Sequence, residues 1–265
     1  MSGSAVATGA ERIARAFADH GKRAALMPYL MGSFPDGATA RDCGEAAVEA
    51  GADLLELGVP FSDPLADGPL IHSAAVDALA AGATPESVLE TCRTLAARVP
   101  VILMVYANVV LAGGDDRFVA RAAEAGAAGL IVPDLPHDEA TGLREVCDRE
   151  GLALVPLVAP TSTPDRVARI GADARGFVYT VSLAGTTGER DELPQGLADT
   201  VARVRSATQL PVAVGFGISS GEQARAVGEL ADGVIVGSRM VRAVREGGAK
   251  AVGDAVRELA AALAT

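Results

Sequence analysis

Short apolar runs alternate with helical patterns along most of the chain. Apolar runs of four to six residues, bounded by Gly, Pro or Asp, predict buried strands. The eight predicted strands are Leu26–Leu30, Asp53–Leu57, Val101–Val105, Gly129–Val132, Ala153–Val158, Gly176–Val181, Pro211–Val214 and Gly233–Val236. Helical spacing predicts a short first helix over Glu11–His20 and eight more helices among the strands. These eight are Thr39–Ala50, Thr84–Arg98, Asp116–Ala125, Asp138–Glu150, Pro164–Ile170, Leu197–Ala207, Gly221–Leu230 and Ala249–Leu263.

Residues typical of helix starts and ends support these boundaries. Thr84 and Thr163 each precede a proline and an acidic residue, as an N-cap precedes the first helical turn. Ser220 and Gln223 have the spacing of a capping box. Glycines follow three predicted helix ends, as C-cap glycines do, at Gly51, Gly126 and Gly151.

One segment type, a helix end that leads into a strand, recurs four times. AGADLLELG, AGAAGLIVP, GADARGFVY and ELADGVIVG precede the second, fourth, sixth and eighth predicted strands. Eight strand–helix units with continuously apolar strands predict an α/β fold, a (β/α)8 TIM barrel with an extra N-terminal helix. A doubly wound sheet is the alternative, and the absence of a GxGxxG turn weighs against it. Without a linker-like stretch, residues 1–265 are expected to form a single barrel domain, with about residues 1–10 as a flexible N-terminus.

The stretch Leu54–Gly68, LLELGVPFSDPLADG, carries two carboxylates in different settings. Glu56 lies inside an apolar run, where a carboxylate must be paired, hydrogen-bonded or protonated. Asp67 lies on the loop that follows. Because TIM barrels carry their chemistry at the carboxyl ends of the strands, the two are expected to form an acid/base site. The alternative is a structural ion pair for Glu56 and a turn for Asp67.

Composition and charge argue against several other classes of function. The formal net charge is −11 and no basic stripe is present, so nucleic acid and anionic membranes are poor partners. No apolar run reaches the roughly 18 residues of a membrane span, and Met1–Gly9 lacks the features of a signal peptide. Three dispersed cysteines without a C-x-x-C motif indicate reduced thiols and a cytoplasmic protein. The three histidines have no metal-ligand spacing, so no metal site is expected.

Three glycine-rich turns follow the last three predicted strands. They are Ser182–Gly188, Gly215–Ser219 and Gly237–Ser238. Glycine lets backbone N–H groups approach a ligand, and a helix N-terminus favours an anion. The turns therefore predict a phosphate site held by backbone N–H groups and the Ser238 hydroxyl, at the usual position in this fold. Ordinary turn glycines are the alternative.

Lysine is scarce, with only Lys22 and Lys250 in the whole chain. Neither lies at the carboxyl end of a predicted strand, which excludes a Schiff-base aldolase. What remains is carboxylate acid/base chemistry on a phosphorylated small molecule. Isomerisation, dehydration and carbon–carbon cleavage all fit these residues.

Several motifs resemble one known family. They are LELGVPFSDPLADGP from Leu55, MPYL at 27–30, VYAN at 105–108, PDLP at 133–136, the Gly185–Gly188 turn, GFGIS at 215–219 and VGS at 236–238. Together they span nearly the whole predicted barrel and resemble the tryptophan synthase α subunit. The resemblance implies retro-aldol cleavage of indole-3-glycerol phosphate to indole and glyceraldehyde 3-phosphate, with indole passed to a β subunit for tryptophan biosynthesis.

The resemblance also assigns roles to residues. Glu56 and Asp67 match the catalytic pair, and Tyr179 matches a tyrosine beside the glutamate. The residues that match the indole pocket are Tyr29, Met104, Ile131, Pro133 and Phe216, with Thr187 on a mobile loop that contacts the aspartate on closure. The residues that match the phosphate site are Gly188, Gly217, Gly237 and Ser238.

Two segments depart from the family pattern, and a partner is implied. Met31–Pro35 stands where many members have Thr followed by Ala-Gly-Asp-Pro, and Leu183 stands where some have Arg. The implied partner is the β subunit, in an α2β2 assembly, which would hold pyridoxal phosphate while this chain needs no cofactor. The surfaces expected to meet β are the Pro60–Pro64 loop, Asn108 and residues 133–137.

Three other functions remain open at this point. The first is a free-standing indole-3-glycerol phosphate lyase that works without a β partner. The second is a catalytically silent activator of β, against which the intact pair of carboxylates argues. The third is a non-catalytic phosphosugar-binding barrel, which would bind glycerol phosphates without turnover.

Overall fold

The computed structural model describes residues 7–181, 196–215 and 217–264. Within these ranges, nine parallel strands alternate with eleven α-helices. The strands are β1 Ala25–Met31, β2 Leu55–Gly58, β3 Val101–Met104, β4 Gly129–Ile131, β5 Ala153–Leu154, β6 Leu157–Val158, β7 Val178–Val181, β8 Val212–Gly215 and β9 Gly233–Val236. The helices are α1 Gly9–Asp19, α2 Gly37–Glu49, α3 Pro69–Ala80, α4 Pro85–Leu95, α5 Ala107–Ala112, α6 Asp115–Glu124, α7 Thr141–Arg149, α8 Pro164–Asp173, α9 Leu197–Arg205, α10 Gly221–Gly228 and α11 Ser238–Ala262.

The sheet confirms the predicted barrel, with one strand in two pieces. Its order is β5-β4-β3-β2-β1-β9-β8-β7-β6, so the two outermost strands are consecutive in the chain. Both belong to the predicted strand Ala153–Val158, which is interrupted at Pro156, a residue without a backbone N–H. The first piece pairs with β4 and the second with β7, while the Pro156 carbonyl accepts from Tyr179 N at 3.0 Å. The curled sheet therefore closes through this segment.

The strands are apolar on both faces because the barrel interior and the helices cover them. Every residue of β1, β2, β3, β8 and β9 is buried. This explains why the sequence shows continuous apolar runs in place of alternation. A buried carboxylate within such a strand, at Glu56, is therefore an exception that needs a chemical reason.

Two aspartates of the repeated sequence segment lie at the amino-terminal end of the barrel, and their hydrogen bonds explain part of the repeat. Asp53 accepts from the backbone N of Leu26 at 2.7 Å and from Lys22 Nζ at 2.8 Å. Asp232 makes the corresponding bond to Val212 N at 2.8 Å and pairs with Arg205. Each carboxylate thus satisfies a backbone N–H within the first two residues of a neighbouring strand.

Most predicted helices are present, and the predicted caps are confirmed. Thr84 and Thr163 are N-caps, and Ser220 with Gln223 forms a capping box. The three predicted C-cap glycines all have positive φ. The first helix begins at Gly9, two residues before Glu11, because Thr8 caps it and Gly9 N donates to Gly151 O.

Two helices were missed, and one prediction was too short. The segment that forms α3 is almost continuously apolar and lacks a clear polar face, and α5 has only six residues. The last helix runs from Ser238 through a kink at Gly247 and Gly248, so its first half was not predicted as a helix. Within the described ranges, no helix is both long and apolar enough for a membrane span.

Candidate active site

Glu56 lies on β2 and points into a cavity at the carboxyl ends of the strands. Its Cα pairs with Tyr29 on one side and Ile102 on the other, and the residue is only 1% exposed. Its Oε1 atom has no hydrogen-bond partner within the part of the chain that the structure describes. Burial raises the pKa of this carboxyl to about 8, and the negative charge of Asp67 adds to the effect. Glu56 therefore carries a proton at neutral pH.

Asp67 lies in the loop between β2 and α3, directly before the cap residue of that helix. Burial raises the pKa of Asp67 to about 6, while the nearby Tyr106 hydroxyl and His72 act in the opposite direction. At neutral pH its carboxylate is mostly ionised. The cavity thus holds one neutral and one ionised carboxyl group, which is the condition for separate acid and charge-stabilising roles.

Two tyrosines flank Glu56 from different strands. Burial raises the pKa of Tyr29 and of Tyr179 well above the ordinary phenol value, so both hydroxyls stay protonated. The Tyr29 hydroxyl donates to Met31 Sδ at 3.8 Å. Met31, one of the residues that depart from the family pattern, therefore accepts the hydrogen bond of the Tyr29 hydroxyl within the site.

Each of these tyrosines needs a glycine on the adjacent strand. Tyr29 pairs with Glu56, and Gly58 lies two residues further along β2; a Cβ on Gly58 would overlap the Tyr29 hydroxyl. Likewise Tyr179 pairs with Ala213 on β8, and a Cβ on Gly215, two residues further along, would overlap the Tyr179 hydroxyl. Both rings lean toward the carboxyl end of the neighbouring strand, and only glycine leaves room there.

The carboxylates, tyrosines and predicted phosphate residues share one narrow cavity of about 30 Å³. It is lined by Tyr29, Glu56, Asp67, Ile71, Met104, Tyr179, Gly217, Ile235, Gly237 and Ser238. A larger groove of about 760 Å³ begins at Ala66, beside Asp67, and extends between the 133–137 segment and α8. The tertiary structure therefore brings together residues that are up to 209 positions apart in the chain, from Tyr29 to Ser238.

Several predicted site residues lie elsewhere or outside the described ranges. Pro133 lines the larger groove, and Ile131 is fully buried in β4 without lining either cavity. Thr187, Gly188, Phe216 and the departure at Leu183 lie outside the described residues.

Tyr106, Ile71 and Ile235 were not predicted as residues of the site. Ile71 and Ile235 line the narrow cavity from α3 and β9. Tyr106 follows β3, and its hydroxyl accepts a hydrogen bond at 3.1 Å from the backbone N of Ala66, the residue before Asp67. Its sequence signal was its position two residues after Met104, on the same face of the chain as that cavity residue. Ile71 was missed because α3 was missed.

The remaining departure from the family pattern has a local structural reason. Ser33 is buried with a φ of 58°, the left-handed region that favours glycine, and its hydroxyl bonds the Ser87 hydroxyl at 2.8 Å. Phe34 is also buried, with the Arg245 guanidinium 5.2 Å from its ring centroid. The segment is therefore packed in place by α4 and α11.

Neither lysine of the chain lines the described cavities. Lys22 bonds Asp53 at the opposite end of the barrel, and Lys250 pairs with Asp254 on α11. A Schiff base to either lysine does not fit this site. Among the described residues, no group of three or more His, Cys, Asp or Glu side chains is arranged to hold a metal ion.

Comparisons with known proteins identify the family. Residues 16–264 match the sequence model described as Tryptophan synthase alpha chain. The chain is 50% identical over 223 residues to the tryptophan synthase alpha chain of Synechococcus sp. (strain CC9902), and the match covers 83% of each chain. It is 46% identical over 244 residues to the tryptophan synthase alpha chain of Synechococcus elongatus, and that match covers 91% of this chain and 92% of the relative. A solved Mycobacterium tuberculosis tryptophan synthase chain is similar with a TM-score of 0.90 and 37% identity, covering 98% of this chain and all of that one. The chain therefore belongs to the tryptophan synthase alpha chain family, lyases of tryptophan synthesis.

Proposed function

We propose that the residues lining the narrow cavity cleave indole-3-glycerol phosphate, with Glu56 as the acid and base and Asp67 as the partner of the indole nitrogen. The observation that carries this proposal is the pair of carboxyl groups with pKa values of about 8 and about 6 in one cavity. At neutral pH the first holds a transferable proton and the second holds a negative charge. Retro-aldol cleavage needs both.

The proposed reaction begins with proton transfer from Glu56 to C3 of the indole ring. The ring becomes an indoleninium whose positive charge is shared by the N–H, and the Asp67 carboxylate accepts a hydrogen bond from that N–H. The Glu56 carboxylate then takes the proton of the hydroxyl on the carbon attached to the ring. The carbon–carbon bond breaks, its electron pair returns to the ring, and that carbon becomes the aldehyde of glyceraldehyde 3-phosphate. Glu56 ends the cycle protonated.

The walls of the cavity support this orientation. Tyr29 and Met104 offer the apolar surfaces that a flat indole ring needs. In this proposal the Tyr179 hydroxyl orients the Glu56 carboxyl, a role supported by the position of both side chains in the lining of the narrow cavity. Pro133 and Ile131 stay proposed parts of the indole pocket, together with Phe216 and the lid residue Thr187.

The phosphate is proposed to bind at the opposite end of the cavity. Gly237 caps the first half of α11, and Ser238 is its first residue, only 9% exposed. Gly217 contributes a turn with a φ of 83°. Together they give backbone N–H groups, a hydroxyl and a helix N-terminus at one point, which suits an anion. Gly188 stays a proposed part of this site.

We also propose that a β subunit binds across the barrel mouth and holds the pyridoxal phosphate. Two large apolar side chains at this end are exposed, Leu65 by 83% and Leu111 by 59%. Leu65 follows the Pro60–Pro64 loop, and Leu111 is in the same short helix as Asn108. Exposed apolar groups on adjacent elements are typical of a protein interface. An α2β2 assembly is the proposed complex.

The test is incubation of the purified chain with indole-3-glycerol phosphate, alone and with the β subunit, while indole is measured. Indole release that rises when β is added supports the proposal. Glu56→Gln should lose about 10²–10⁴-fold in turnover and retain binding of a glycerol phosphate analogue. Release that β does not change would favour a free-standing lyase. Binding without any turnover by the folded wild type would overturn the proposal in favour of a non-catalytic barrel.

A further inference from the structure

One side chain joins two of the segments at the barrel mouth. The short helix α5 begins at Ala107, directly after β3, and carries Asn108 and the exposed Leu111. Residues 133–137 follow β4. The Asp134 Oδ1 atom accepts a hydrogen bond from Ala107 N at 2.8 Å. This bond connects two elements that are 27 residues apart in the chain.

The bond gives α5 the N-terminal cap that its own sequence lacks. The cap residue Tyr106 makes no side-chain capping bond, and the helix has only six residues. The first N–H groups of a helix have no partner within it, and a carboxylate stabilises the positive end of its dipole. A helix this short is not stable by itself in water. The start of α5 therefore depends on the carboxylate of Asp134.

Tyr106 connects the same point to the loop after β2. Its side chain is 3% exposed, and its hydroxyl accepts a hydrogen bond from Ala66 N at 3.1 Å. Its ring stacks on Phe61, with the ring centroids 5.3 Å apart. Ala66 directly follows the exposed Leu65. The start of α5 is thus tied to both neighbouring loops, to one through Tyr106 and to the other through Asp134.

We infer that Asp134 is a positioning residue for the partner subunit. Its carboxylate fixes α5 to the 133–137 segment, so that Leu111 and Leu65 belong to one preformed surface for the β subunit. This inference rests on the proposed β partner. A preformed surface loses less conformational freedom on binding, which strengthens the complex. Asp134 lines the larger groove and not the narrow cavity, so it has no part in the proposed proton transfers.

The test compares Asp134→Ala with Asp134→Asn. Alanine removes the acceptor, whereas asparagine removes the charge and keeps an oxygen that can cap a helix equally well. In the isolated chain, amide hydrogen exchange over residues 107–112 should become about 5-fold faster in Asp134→Ala, the usual effect of a lost cap. The Kd for the β subunit should also rise about 5-fold, because the binding-competent fraction falls. Asp134→Asn should restore both quantities to within about 2-fold of wild type.

Glu139→Ala is the matched control. It removes an exposed carboxylate five residues further along, and no hydrogen bond or ion pair holds that side chain among the described residues. Exchange and Kd should both stay at the wild-type values in this variant.

Two results would overturn the inference. Unchanged exchange over residues 107–112 in Asp134→Ala, with weaker β binding, would show that Asp134 contacts β directly and does not position α5. Faster exchange with an unchanged Kd would show that the order of α5 does not matter for the partner. If the wild-type chain did not bind β, the proposed partner would fail, while the exchange data would still decide whether Asp134 holds α5.

Discussion

Replacement of Glu56 by Gln should stop turnover, and the stability of the variant relative to wild type should rise with pH. The Glu56 side chain is enclosed by the barrel, and its pKa is about 8, against 4.5 for the ordinary group. In the unfolded chain the carboxyl meets water and ionises at its ordinary value. Gln has the same shape and does not titrate, so the comparison isolates the proton of Glu56.

The size of the effect follows from the two pKa values. From about pH 4.5 to about pH 8, folded wild type holds a proton that the unfolded chain has released. The free energy of unfolding of the wild type therefore falls as pH rises through this window, by about 1.4 kcal/mol per unit. Below the window both states are protonated and the contribution is fully retained. The stability of Glu56→Gln relative to wild type should thus increase by about 3 kcal/mol between about pH 5 and about pH 8. Any constant cost of the buried amide cancels in this difference.

The assay is urea unfolding of wild type and variant at several pH values, followed by circular dichroism. Glu90→Gln is the matched control, because it makes the same chemical change on the exposed surface of α4. The pH-dependent gain should appear in Glu56→Gln and not in the control. A difference between wild type and Glu56→Gln that stays constant from about pH 5 to about pH 8 would refute the view that burial keeps Glu56 protonated.

Three further predictions concern the same barrel. The kcat/KM profile should fall below about pH 6, where Asp67 takes up a proton, and above about pH 8, where Glu56 loses one; a profile flat across both values would contradict the proposed roles. Thr180→Val should raise the free energy of unfolding by about 1 kcal/mol in a urea titration, because the buried Thr180 hydroxyl has no partner among the described residues. The control Thr200→Val removes a hydrogen bond to the Gly196 carbonyl and should lower the free energy of unfolding by about 1 kcal/mol in the same titration. Gly58→Ala should lower kcat by about 10²-fold, because the added methyl overlaps a buried phenol hydroxyl; unchanged kinetics would show that the ring can move freely.

The sequence determined the order and kind of most elements in the barrel. Continuous apolar runs predict strands that are covered on both faces. The ends of the predicted strands agree with those of the observed strands to within two residues. The caps at Thr84, Thr163 and Ser220 were also readable, because capping depends on side chains within four residues of each other. The two carboxylates of the site were found for a similar local reason, since an acid inside a buried strand stands out.

Only the tertiary structure decided how these residues act together. The pKa values of Glu56 and Asp67 depend on which groups surround them, and those groups come from strands and helices far apart in the chain. The Tyr106 hydroxyl accepts a hydrogen bond from Ala66 N, 40 residues earlier in the chain, and a pattern of apolar and polar positions does not predict such a long-range contact. The closure of the barrel through Pro156 likewise needs both of its neighbouring strands in place. Local chemistry fixes the elements, whereas burial and long-range contacts create the electrostatics of the site.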